Sequence, residues 1–133
     1  MFELDPRLEK SSDFVCDLTL SQVRLSHNAH FPWLILIPKK NDVAELLDLP
    51  PVDQQELFKE ILKVSSALKD FFSPYKLNIG ALGNVVRQLH IHVIARFETD
   101  AAWPNPVWNT VFKPYEENEK QHRIEKIRQL LLS

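Results

Sequence analysis

The residues best suited to chemistry stand together in one stretch, Gln88-Leu89-His90-Ile91-His92. On an extended strand, side chains two residues apart point the same way, so Gln88, His90 and His92 form a row with about 7 Å between neighbours. Two imidazoles side by side repel when both are charged; one then stays neutral as a nucleophile while the other can carry a proton. Partly exposed sheet histidines with hydrogen-bonded rings would give the same pattern. So would two ligands of a metal site completed by His27 or His30, but no carboxylate or thiolate sits at ligand spacing around the pair. The expectation is therefore of no metal and no cofactor.

Just upstream lie the only two glycines of the chain, Gly80 and Gly83, within Asn78-Ile79-Gly80-Ala81-Leu82-Gly83-Asn84. Glycine admits positive φ and close approach of another group. A glycine turn with successive free backbone N–H groups makes a concave anion site, to which Asn84 adds a side-chain amide. A tight β-turn is the plainer alternative. Phosphate beside histidine is a natural combination. An imidazole attacking a phosphorus held by backbone amides would pass through a covalent phosphohistidine-type intermediate and divide one hard displacement into two.

The elements that must hold these residues follow from periodicity. Asp5-Pro6 reads as an N-cap with Pro at the first helical position, giving a short helical turn over residues 6–10. Phe14–Leu18, Gln22–Leu25 and Trp33–Ile37 read as three strands in meander order. From Asp53, apolar residues recur at three- and four-residue steps through Phe72, and Asp53 and Glu56 are spaced as a capping box. Tyr75–Ile79 reads as a strand after Pro74. Gln88–Phe97 reads as another, with Leu89, Ile91, Val93, Ala95 and Phe97 on one apolar face. Glu116–Leu132 closes the chain as a charged amphipathic helix. Strands around one long helix, without strict alternation, predict an α+β fold: a mainly antiparallel sheet of about five strands, the long helix on its apolar face and a C-terminal helix. The opposite face, carrying Gln88, His90 and His92, is expected to be free.

Composition bounds the rest. With 133 residues, 44% hydrophobic and 26% charged, the chain fits a single domain spanning 1–133. A net charge of −2, without a basic block, argues against general binding of nucleic acid. The apolar run Trp33–Ile37 is far short of the roughly 20 residues needed to span a bilayer. Cys16 has no partner for an internal disulfide, and no leader pattern opens the chain, so a cytoplasmic location is expected.

These residues resemble the histidine triad (HIT) superfamily of nucleotide hydrolases and transferases. Its signature is His-φ-His-φ-His-φ-φ on a strand after a Gly-containing loop of the form Asn-x-Gly…Gly-Gln. The corresponding residues are Asn78-Ile79-Gly80, Gly83-Asn84 and Gln88-Leu89-His90-Ile91-His92-Val93-Ile94. Phe31–Lys40 is similar to the family's apolar strand ending in Ile-Pro-Lys, and Trp103-Pro104 to its downstream Trp-Pro; together the pieces cover roughly residues 20–108 in order. Two departures stand out. Gln88 replaces the first triad histidine, and Trp33 stands where many members have a further histidine.

The resemblance implies a HIT-like fold and a nucleotide or dinucleotide substrate. It makes His90 the nucleophile that becomes nucleotidylated and His92 the phosphate contact and general acid, with Gln88 in a supporting role. Glutamine keeps hydrogen bonding but cannot exchange a proton at neutral pH. Gly83, Asn84 and Val85 would hold phosphate oxygens. Asn28 would bond ribose hydroxyls or else serve as a loop-turn residue. The implied reaction is hydrolysis that releases a nucleoside 5′-monophosphate from a phosphoramidate or a dinucleoside polyphosphate. A nucleotide-binding regulator without turnover and a nucleotidyl transferase are the alternatives. A homodimer is also implied, with Trp103, Trp108 and Phe112 either at its interface or packed within the monomer.

Overall fold

The computed structural model describes all 133 residues. Its elements run α1 (Pro6–Ser11), β1 (Ser12–Asp17), β2 (Ser21–Ser26), β3 (Trp33–Pro38), α2 (Pro51–Phe72), β4 (Lys76–Gly80), β5 (Ile91–Arg96) and α3 (Glu117–Leu132). The five strands form one antiparallel sheet in the order β1-β2-β3-β5-β4. Strand β5, which carries His92, thus sits between β3 and the edge strand β4, with His92 opposite both Ile35 and Gly80.

Local chemistry sets the helix ends. The Asp5 carboxylate accepts from the Arg7 amide at 2.8 Å, capping α1 as its sequence predicts. At the other end of the chain Glu116 caps α3 by accepting from the amides of Asn118 and Glu119. Helix α2 departs from expectation. It starts at Pro51, not Asp53, and its N-cap is Pro50 with no side-chain bond. Proline at the first helical position is pre-set for the helix and has no N–H to satisfy, so the capping box at Asp53 and Glu56 is not needed. The helix stops where Ser73 enters the left-handed region at φ 48°, just before Pro74.

One face of the sheet carries a cluster of 18 buried residues, in which Leu34, Leu36, Ile91 and Val93 meet Leu57, Val64 and Leu68 of α2 and Ile124, Ile127 and Leu131 of α3. A buried carboxylate braces this layer, as Glu60 of α2 accepts from the amides of Leu20 and Ser21 at 2.8 and 2.9 Å.

The other face is not free, as expected from the sequence, but partly covered from two sides. Leu8, with Phe2 and Leu4, lies over Ile35 and Ile37. Val107, in the segment after β5, joins Phe31 and Ile94. That second cover is held by Arg96, 1% exposed, which donates to both carboxylate oxygens of Asp100, to Asn78 and to the Asn105 carbonyl. Burial pushes the Asp100 carboxyl up, but the Arg96 guanidinium and the amides of Phe97 and Ala102 outweigh it and hold the carboxyl down at about 2. What stays open between the two covers is the cleft described below.

Strand β5 is shorter than the predicted Gln88–Phe97. Its pairing with β3 ends at Ile91 and with β4 at His92. Residues 88–90 leave the sheet, with the Leu89 amide bonded to the Val43 carbonyl. Of the three aromatic residues considered for a dimer contact, the two tryptophans have ring partners inside the chain, whereas Phe112 is exposed. Trp103 packs edge-on against Tyr75 and under Arg96, and Trp108 against Trp33 and His92.

Candidate active site

The open part of the second face is a cleft of about 810 Å³. Its floor is His90 and His92. One wall is the glycine loop from Leu82 to Val86, another the end of α1 with Lys10 and Ser11. A third is Ser26, His27 and Asn28, and a fourth is the segment from Val107 to Phe112.

The two histidines are brought together with ring centroids 4.9 Å apart, but their surroundings differ. His90 Nδ1 is 2.7 Å from the Gln88 carbonyl oxygen. A carbonyl only accepts, so Nδ1 carries the proton and Nε2 keeps its lone pair. For His92 the order is reversed. The Trp33 indole Nε1 is 2.9 Å from His92 Nδ1, and an indole N–H only donates. Nδ1 must therefore be the acceptor, and the proton sits on Nε2. Burial, and then the neighbouring His90, push the His92 pKa down to about 4. An imidazolium at His92 would put an N–H against the indole N–H. The expected proton-carrying general acid is thus disfavoured at this position; His92 is a neutral ring that can donate one hydrogen bond through Nε2.

The glycine loop has the backbone its sequence suggests. Gly83 has φ +74°, and a Cβ there would come within 3.3 Å of the Val86 carbonyl oxygen. None of the amides of Gly83, Asn84 and Val85 donates to a protein acceptor. Gly80 differs: a Cβ would meet nothing within 4 Å, so its position at the end of β4 does not require glycine. Asn28 is buried at the cleft wall. Its Oδ1 accepts from the His30 amide at 3.1 Å, and its Nδ2 donates to the Val111 carbonyl at 3.4 Å. It fastens the 107–113 segment to the cleft, the structural part that a loop-turn Asn plays.

Gln88 is placed elsewhere. Its Oε1 accepts from the Asp5 amide at 2.8 Å and its Nε2 donates to the Glu3 carbonyl at 2.9 Å. Its side chain faces the N-terminal segment and does not line the cleft. Only its carbonyl reaches the site, through His90. The His27 ring Nε2 pairs with Asp13 at 3.2 Å, and no group of three or more His, Cys, Asp or Glu side chains is arranged to hold a metal.

Two site residues escaped sequence reasoning as functional groups. Trp33 was visible only as a departure from a pattern; its donor-only indole, at the first position of an apolar strand, was the available signal. Trp108, whose ring stands 4.9 Å from that of His92, lies in a segment without periodicity and left no such signal.

Comparison with known proteins agrees with this fold. Residues 7–99 match the family model described as HIT domain. A histidine triad protein from Bradyrhizobium japonicum is 43% identical, with a TM-score of 0.96 over 98% of both chains. One from Sinorhizobium meliloti is 44% identical, with a TM-score of 0.95 over 98% of this chain and 97% of that one. A curated relative, bis(5′-nucleosyl)-tetraphosphatase [asymmetrical] of Schizosaccharomyces pombe, is 29% identical over 87 residues. That match takes in 62% of this chain and 48% of the relative, so the chain spans about half the length of the curated protein it matches. No helix is long and apolar enough to cross a membrane. With the five-stranded antiparallel sheet, the glycine loop and the paired imidazoles in their expected order, the match over residues 7–99 places this chain in the histidine triad (HIT) family.

Proposed function

We propose that residues 1–133 act as a single HIT-like domain that hydrolyses nucleotides, releasing a nucleoside 5′-monophosphate from its leaving group through a nucleotidyl intermediate on His90. The observation that carries this reading is the 2.7 Å bond between His90 Nδ1 and the Gln88 carbonyl, which leaves Nε2 as the lone-pair nitrogen in the cleft. In the first step Nε2 forms a bond to the α-phosphorus while the bond to the leaving group breaks and its electron pair departs with that group. The ring then carries positive charge, which the Gln88 carbonyl stabilises through Nδ1–H. In the second step water attacks the phosphorus, the P–N bond breaks, its pair returns to Nε2, and one proton passes to solvent.

The amides of Gly83, Asn84 and Val85, residues that line the cleft, would hold the phosphate oxygens as charge develops on them. His92 Nε2–H would supply a further donor, and Asn28, which lines the same cleft, would meet the sugar through whatever hydrogen-bonding capacity its bonds to His30 and Val111 leave. Gln88 acts through its carbonyl and by holding the N-terminal segment. The S. pombe relative's name supplies one substrate of the proposed class, a dinucleoside tetraphosphate. We further propose a homodimer. Its contact would use the edge strand β4, where Ile79 is 51% exposed.

Incubation with a labelled dinucleoside tetraphosphate tests the reaction. Steady release of mononucleotide is expected. Binding without release would make the protein a nucleotide-binding regulator, and release only after a phosphorylated acceptor is added would make it a transferase.

A further inference from the structure

We infer that Trp33, by fixing His92 as the neutral Nε2–H ring, restricts this hydrolase to leaving groups that depart as oxygen anions, so that it cleaves nucleotides joined through P–O–P and discriminates against those joined through P–N to an amine. The inference rests on the hydrolase reading above and specifies the substrate class of the same site.

The argument is one of proton supply. A phosphoanhydride breaks to give a phosphate oxygen that is stable as an anion, so no proton need be delivered as the bond breaks. An amine is too basic to leave as an anion; its nitrogen must be protonated by the time the P–N bond breaks. The neutral His92 ring has only its Nε2 hydrogen, and giving it up would leave an anionic ring in a buried setting. To act as an acid the ring must first become an imidazolium. That would require Nδ1 to carry a hydrogen where it now accepts from the Trp33 indole at 2.9 Å. No other group in contact with the ring offers relief. Its ring neighbours are His90, Trp33 and Trp108, none of them acidic. The cleft lining contains no Asp or Glu, and its remaining imidazole, His27, is turned to Asp13, with Nε2 at 3.2 Å from that carboxylate. Trp33 is thus a positioning residue: it acts on the reaction through His92.

The test compares two substrates with the same adenylyl group, diadenosine tetraphosphate and adenosine 5′-phosphate joined through P–N to an alkylamine, in the wild type and in Trp33→Phe and Trp33→His. The wild type is expected to favour the anhydride at least 100-fold in kcat/KM. Both variants should reduce that preference at least tenfold, through a gain on the amidate, because each removes the indole donor and one replaces it with a group that can accept. Nitrogen-15 NMR of the resting wild type should show His92 protonated at Nε2 and neutral down to pH 5, a readout that holds even if a variant folds poorly. Comparable rates on both wild-type substrates, an unchanged preference in folded variants, or a His92 ring that titrates near 6.5 would overturn the inference and leave the hydrolase reading standing. Turnover of neither substrate would overturn the hydrolase reading, and the inference with it.

Discussion

On one face of the sheet Leu34, Leu36, Ile91 and Val93 meet the long helix α2 within a single cluster of 18 buried residues. On the other, Ile35, Ile37, His92 and Ile94 meet the N-terminal segment and the residues after β5, and the apolar contacts break into two clusters of three. The first face is continuous and dry, and its partners are two amphipathic helices. The second is assembled from segments up to 85 residues apart, joined by Gln88 to Glu3 and by Asn28 to Lys113, and it is polar where those segments fail to meet. Apolar burial is concentrated on the first face and the candidate site on the second. Each can therefore be damaged with limited effect on the other.

The largest expected effect belongs to the cleft. His90→Ala removes the proposed nucleophile and should lower turnover at least 10³-fold, about 4 kcal/mol of barrier, while nucleotide affinity and the thermal midpoint change little. Steady-state kinetics and calorimetric titration check both halves. The converse is Leu68→Ala on the helix face, fully buried, where an empty cavity should cost about 3 kcal/mol of unfolding free energy. Urea denaturation measures that loss, and the variant that remains folded should keep its kcat.

Acid should weaken the cleft face first. The unfolded chain binds a proton at His92 with the ordinary value of 6.5, whereas the folded chain resists it down to about 4. Between these values the unfolded state carries the extra proton. The His92 contribution is complete above pH 6.5 and falls by about 3 kcal/mol as pH drops to about 4. Asp100, with its value lowered from 3.8 to about 2, adds its own loss only below about pH 4. Denaturation as a function of pH should therefore show two windows, and His92→Gln should erase the upper one.

Gly83→Val forces a β-branched side chain to φ +74° against the Val86 carbonyl and should weaken nucleotide binding about tenfold to 100-fold. A thermal melt with and without nucleotide separates this from a general loss of stability. The smallest effect is expected of Gln88→His. The side chain lies outside the cleft, so the rate should change about tenfold or less, within about 1.4 kcal/mol. Stability should fall by about 1 kcal/mol as the bonds to Asp5 and Glu3 are replaced. A gain of 10² or more in hydrolysis would mean that the substitution at position 88 had cost the protein its catalysis.

The same contrast explains what could be read in the sequence. The helix face is written in periodicity: Leu57, Val64 and Leu68 recur along α2, and Ile91 and Val93 alternate on β5. Element types follow from it; the place of β5 between β3 and β4 does not. The cleft was legible at His90, His92 and Gly83, whose residue types limit what they can do. It was not legible at Gln88, because the row of alternating side chains assumes a strand from residue 88, whereas β5 begins only at Ile91. Nor was it legible at Trp33 and Trp108, because an indole next to an imidazole is a long-range meeting, 59 residues apart for Trp33 and His92, that no local pattern records. The start of α2 was misplaced by two residues because Pro50-Pro51 replaces side-chain capping with fixed backbone geometry.

The central claim, that His90 Nε2 becomes covalently nucleotidylated, is tested most directly by quenching the wild type in acid-free denaturant during turnover of diadenosine tetraphosphate and mapping the adduct by mass spectrometry. The account predicts one adenosine monophosphate group on the peptide segment Leu89–Ile91, at His90, absent from His90→Ala. An adduct on His92, or steady turnover by the His90→Ala protein, would contradict it.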